Sequence, residues 1–175
     1  MQNSRIRRKS AADGWKIPQE AAKPLVQMRI SGYTTLISRR RISIMCTAIR
    51  LTTRDHYFGR NLDLEYSYLE TVAITPRHYP FHFRHEGTNS DHFAMIGMAF
   101  VVGGMPLYYE ATNEKGLSMA GLNFPASAVY HDVKPDCANI ASFELIPYIL
   151  GQCESVQEAK TLLQRLNILF ANTLF

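Results

Sequence analysis

The sequence predicts an α+β fold built mainly from antiparallel strands. Three observations carry this. Residues 46–123 break into short segments of alternating or continuous apolar character, the pattern of strands rather than helices. The segments are separated by brief turns rich in Gly, Asn, Asp and Pro, which suit hairpins. Signals for helix starts appear only beyond residue 140. A chain of 175 residues that is 46% hydrophobic, with no long repeat, has the composition of a globular domain with a real core.

Charge divides the chain in two. Residues 1–44 carry ten Lys/Arg against Asp13 and Glu20, whereas residues 45–175 carry nine Lys/Arg against thirteen Asp/Glu. The net +4 therefore originates in the leading segment, and the globular part needs neither a nucleic acid nor a membrane as partner. No apolar run is long enough to span a membrane, and the N-terminus is a poor secretory signal. The three cysteines, Cys46, Cys137 and Cys153, lack metal-like spacing, and their odd number argues for a reducing, cytoplasmic setting.

The 1–44 segment shows no helical or strand pattern and is punctuated by Gly14, Pro18, Pro24 and Gly32. Its Arg-rich, acid-poor composition admits three readings: an organellar transit peptide, a disordered basic arm, or upstream DNA read as protein. On the third, Arg39-Arg40-Arg41 stands where a purine-rich bacterial ribosome-binding sequence precedes Met45, and translation begins at Met45. The working domain is accordingly 45–175.

Cys46 to Leu51 alternates as a strand, Thr53 to His56 is a polar turn, and Tyr57 to Asp63 is the returning strand. A hairpin of this kind brings Arg60 and Asp63 back beside Cys46. A guanidinium near a thiol lowers its pKa, and a free α-amino group, with a pKa of about 7.7–8.0, accepts a proton near neutrality. Taken singly, a cysteine on a strand reads as a small buried hydrophobe and an Arg–Asp pair as a surface ion pair.

Taken together, MCTAIRL followed by YFGRNLDLEYSY resembles the N-terminus of the choloylglycine hydrolase family. That family comprises conjugated bile salt hydrolases and penicillin V acylases, among the N-terminal-nucleophile hydrolases. The resemblance implies removal of Met45, so that Cys46 becomes the first residue and the nucleophile with its own α-amine as base. It implies that Arg60 sits by the thiol and that Asp63 holds the amine. It implies no cofactor.

Glu70 to Thr75 reads as a strand stopped by Pro76. The next stretch holds His78, His82, His85 and His92, and reads as a polar surface hairpin rather than a metal site, since Pro80 breaks any helix that would align them. Phe93 to Phe100 is an apolar strand and Val101 to Met105 a turn. Its apolar tip is either one wall of a substrate pocket or a hairpin end packed on the core. Leu62, Phe100 and Val102 are the candidate substrate-binding residues.

Asn113 to Gly116 is a turn with Gly116 at positive φ, and Leu117 to Leu122 a strand that delivers Asn123. Alone, Asn123 before Phe124-Pro125 reads as a turn cap. As part of GLNFP it is similar to the family's oxyanion-hole residue, and an amide there suits bile salt hydrolases better than penicillin V acylases.

Ser142 to Leu150 reads as a helix opened by Ser142 with Pro147 in its first turn. Ser155-x-x-Glu158 is a capping box, followed by a stripe of Val156, Ala159, Leu162, Leu163 and Leu166. The resemblance runs from residue 45 to about 168. It implies part of a four-layer αββα sandwich whose C-terminal half is absent, an inactive and aggregation-prone 175-residue chain, and a homotetramer for a full-length protein. The favoured activity is hydrolysis of linear amide C–N bonds in glycine- or taurine-conjugated bile acids. The alternatives are a penicillin V acylase and a non-catalytic fragment or basic-arm adaptor.

Overall fold

The computed structural model describes residues 26–28, 46–63, 66–122 and 128–170, with Val26–Met28 described by backbone alone. The strands in chain order are β1 (Val26–Met28), β2 (Thr47–Thr52), β3 (His56–Asn61), β4 (Thr71–Thr75), β5 (Phe81–Phe83), β6 (Gly87–Asn89), β7 (Met95–Val102), β8 (Met105–Asn113), β9 (Ser118–Ala120) and β10 (Ala138–Ala141). A 3-10 turn at Ser142–Glu144 leads into α1 (Leu145–Leu150), then α2 (Val156–Leu163) and β11 (Leu166–Leu169).

The main sheet runs β1-β4-β7-β8-β9, with every neighbouring pair antiparallel. Its strands obey the two-residue period: Thr71, Ala73 and Thr75 of β4 are buried while Val72 and Ile74 are half-buried. Gly103 and Gly104, both at positive φ, close the β7–β8 hairpin, and Gly116 at φ +84° closes β8–β9 as its sequence context predicts. Helix α1 lays Ile146, Ile149 and Leu150 on the core shared with Met95, Ala111 and Leu117. Buried Asn113 locks this arrangement. Its Nδ2 donates to the carbonyls of Leu150 and Cys153, both at 2.8 Å, and its Oδ1 accepts from the Lys115 and Leu117 amides.

Several elements differ from the expectations. The His-rich hairpin forms as β5–β6, but it is no polar surface element: Phe81 and Phe83 alternate inward around His82 and are buried, as are Tyr79 and His92. His92 is held by the carbonyls of Phe93 and Tyr79. Ser142 does not cap a helix; it begins the 3-10 turn, and buried Glu144 caps the turn by accepting from the Ala141 amide at 3.2 Å. The capping box at Ser155 is present, with the Glu158 amide donating to Ser155 Oγ at 3.2 Å. The stripe behind it breaks at Leu163, because Leu166 belongs to β11, which pairs in parallel with β10. Three residues of the leading segment, Val26–Met28, pair with Val72–Ile74 as an edge strand too short to show a period in sequence.

Candidate active site

The β2–β3 hairpin has the register that the sequence suggests. Ala48 faces Arg60 and Thr47 faces Asn61, so Cys46, two residues before Ala48, projects to the same face as Arg60. The turn is short, with Thr53 N–H donating to Asp55 O and Thr52 Oγ1 paired with His56 Nδ1 at 2.9 Å. Cys46 Sγ lies 3.9 Å from the Asp63 carbonyl oxygen, a weak contact. The Asp63 carboxylate accepts from Asn61 Nδ2 at 3.1 Å, which fixes its orientation.

Arg60 bolts the hairpin to the main sheet. Its side chain is only 4% exposed, Nη1 donates to Glu110 Oε2 at 3.1 Å and Nη2 to the Gly121 carbonyl at 2.8 Å. Arg60 Nε is buried with no hydrogen-bond partner. Burial pushes the Glu110 carboxyl above its ordinary value, while the hydrogen bond and charge of Arg60 pull it back. Burial likewise pushes the Tyr109 phenol up to about 12, helped by the Glu70 carboxylate, so Tyr109 is a neutral hydroxyl at physiological pH.

Cys46, Arg60 and Leu62 open onto a cleft of about 330 Å³. Phe100 and Met119 supply apolar walls from the sheet, and Phe143, Leu145 and Ile146 supply another from the 3-10 turn and α1. The structure thus brings together Cys46, Arg60, Leu62 and Phe100, with Asp63 adjoining Cys46. Val102 is not on this cleft; at the end of β7 it is half-buried and packs against the core. Asn123 lies outside the described residues. Sequence reasoning missed Glu110, Tyr109 and the wall from Ser142 to Ile146. Glu110 had a signal, as the charged residue of a largely buried strand (MPLYYEATN).

An apolar cleft lined by a thiol and a compensated guanidinium, with the thiol beside the residue that carries an oriented carboxylate, is suited to nucleophilic attack on an acyl carbon flanked by a greasy group. Comparison with known proteins agrees. Residues 46–174 match the family described as linear amide C–N hydrolases, choloylglycine hydrolase family. A bile salt hydrolase/transferase of Lactiplantibacillus plantarum is 51% identical over 128 residues, 73% of this chain and 40% of that protein. A conjugated bile acid hydrolase of Lactobacillus gasseri is 40% identical over 127 residues, 71% of this chain and 40% of its own length. A crystal structure of a mutant conjugated bile acid hydrolase from Clostridium perfringens superposes with a TM-score of 0.65 at 31% identity, covering 72% of this chain and 39% of that one. The fold is therefore the mostly antiparallel N-terminal-nucleophile hydrolase type, and the chain spans about 40% of the length of the curated relatives it matches.

Proposed function

The chain belongs to the linear amide C–N hydrolases of the choloylglycine hydrolase family, and from that premise we propose that it serves the hydrolysis of glycine- or taurine-conjugated bile salts. The observation that carries this is Cys46, with which the family match begins, on one apolar cleft with Arg60. The similarity to bile salt hydrolases favours a steroid acyl group over the phenoxyacetyl group of penicillin V.

Cys46 is freed as the first residue. Its α-amine takes the thiol proton as Sγ attacks the amide carbonyl carbon. The tetrahedral oxyanion is met by Asn123, a donor whose removal costs about 2.7–4 kcal/mol in comparable sites. The C–N bond breaks, the α-amine passes its proton to the departing glycine or taurine nitrogen, and a thioester joins the cholyl group to Cys46. Water, deprotonated by the same amine, cleaves the thioester and releases the bile acid. Arg60 favours the thiolate, and Asp63 orients the amine and steadies its protonated form. Leu62 and Phe100 line the acyl side of the cleft, and no cofactor takes part.

Among the described residues no helix is long and apolar enough to cross a membrane. We place a full-length protein in the cytoplasm as a homotetramer acting on a small-molecule substrate. The test is release of free glycine or taurine from glycocholate and taurocholate by a full-length protein that carries this chain, with penicillin V in parallel. Turnover of penicillin V alone would replace the bile salt reading with an acylase one. Turnover of neither by a preparation with a free Cys46 amine would contradict both.

A further inference from the structure

Arg60 presents a physical problem that its nearness to Cys46 does not solve: a guanidinium 4% exposed must have a counter-charge held in place. The main sheet supplies one through a local irregularity. Between β7 and β8 the register shifts, so that Met98 pairs with Glu110 but Ala99 pairs with Tyr108. Tyr109 is the extra residue of a β-bulge, a device that re-aims side chains next to functional sites. The bulge lets Tyr109 line the cleft while its neighbour Glu110 reaches Arg60.

The backbone there has no freedom to drift. A Cβ on Gly97 would stand 1.9 Å from the Glu110 carbonyl oxygen and 2.6 Å from Ala111 Cα, so β7 and β8 are in closest approach at this point. The Glu110 carboxylate takes Arg60 Nη1 at 3.1 Å and also the Met98 N–H. Gly121, tied to Tyr109 by a 2.8 Å amide-to-carbonyl bond, takes Nη2. Sheet, bulge and guanidinium form one assembly.

The geometry points to Glu110 as a positioning residue that sets how much of Arg60's positive charge reaches the Cys46 thiol. It clamps the guanidinium through Nη1 and offsets its charge, so the positive charge presented to the cleft is set by the pair rather than by Arg60 alone. This rests on the reading of Cys46 as nucleophile and adds to it a residue outside the quoted motifs. The other titratable groups around the assembly are Asp63 beside Cys46 on the hairpin side and Tyr109 on β8, with Glu70 and Tyr68 acting on Tyr109 from the segment before β4.

The experiment measures the rate at which iodoacetamide alkylates Cys46 across pH in the full chain, resolved by peptide mass spectrometry. Buried Cys153 serves as the internal reporter that the fold is intact. In Glu110→Gln an oxygen still accepts from Nη1 but the negative charge is gone. Alkylation of Cys46 at neutral pH is expected to rise about threefold or more, as the profile moves to lower pH. Glu110→Asp, which restores the charge, returns the profile toward that of the parent. Arg60→Gln moves it to higher pH, and in that background Glu110→Gln has less than half its effect. An unmoved profile in Glu110→Gln with Cys153 still protected overturns the inference, as does an equal gain in both backgrounds. Either result leaves the nucleophile reading standing if Arg60→Gln alone still shifts the profile. An unmoved profile in Arg60→Gln instead removes Arg60 from the mechanism, and Glu110 with it.

Discussion

The β2–β3 hairpin and the β4–β9 part of the main sheet are both antiparallel β-structure, yet they are held in opposite ways. The sheet and α1 bury the residues that they turn toward each other, with Ala73 and Ala99 of the sheet and Leu150 of the helix at 0% exposure. The hairpin leaves the apolar side chains of one face open to water: Ile49 is 64%, Leu51 51% and Tyr57 55% exposed. What fixes the hairpin to the sheet is polar, the bonds of Arg60 to Glu110 and Gly121. On the proposed function, the chemistry rides on the less buried element and the precision comes from the more buried one, a division common where functional groups are presented by a rigid scaffold.

The largest expected effect separates the two regions by function. In a full-length protein, Cys46→Ala on the hairpin should reduce bile salt hydrolysis by about a thousandfold or more, because no other group replaces a nucleophile. Cys153→Ala in the core should leave turnover within a few fold and register instead as a small loss of stability. Equal losses of turnover in a steady-state assay of the two variants would erase the distinction.

Stability should divide the other way. Leu150→Ala removes a side chain at 0% exposure and should cost about 2–5 kcal/mol in urea unfolding. Leu51→Ala, half exposed, should stay within about 0.5 kcal/mol. The glycines repeat the contrast on a smaller scale. Gly97→Ala meets backbone at 1.9 Å and should cost about 1–3 kcal/mol, whereas a Cβ on Gly59 meets only Ile49 Cγ2 at 3.7 Å and Gly59→Ala should be close to neutral. Matching unfolding midpoints for either pair would mean that the hairpin is buried in solution.

The smallest expected effect is a pH dependence that originates outside the hairpin. Arg77 pairs with Glu114 just past the end of β8 and holds its carboxyl at about 2, with the Ala94 amide helping. A carboxyl depressed in the folded state stabilises above its unfolded pKa of about 4.3 and loses that contribution as pH falls toward 2. Arg77→Ala should therefore flatten the fall of the thermal midpoint over that window. Glu144 has the opposite sign: burial raises its carboxyl, so its contribution is present below the unfolded value and is lost as pH rises through the folded one. A midpoint that falls equally steeply in parent and Arg77→Ala would remove Glu114 as a source of acid lability.

Much of the architecture was legible because its signals are local. The Cys46–Asp63 hairpin, the Gly116 turn and the Ser155 cap each follow from a few adjacent residues whose backbone preferences agree. What escaped depends on partners far along the chain. The burial of Phe81 and Phe83 is decided by the core they face, not by the histidines between them. Leu166 fits a helical stripe by spacing, but pairing with Ala138 draws it into a strand. In the site, Cys46, Arg60 and Asp63 could be read from one stretch. Glu110 stood out as a charge on a buried strand, but its bond to Arg60 could not be read, because it depends on a bulge and on a contact across fifty residues of chain.

The central claim is that Cys46 acts with its own free α-amine, and the mass of the N-terminal peptide in the fraction that hydrolyses glycocholate tests it most directly. The expected result is a peptide beginning at Cys46 with an unmodified amino group. A fully active fraction whose N-terminal peptide still carries Met45 ahead of Cys46 would contradict it.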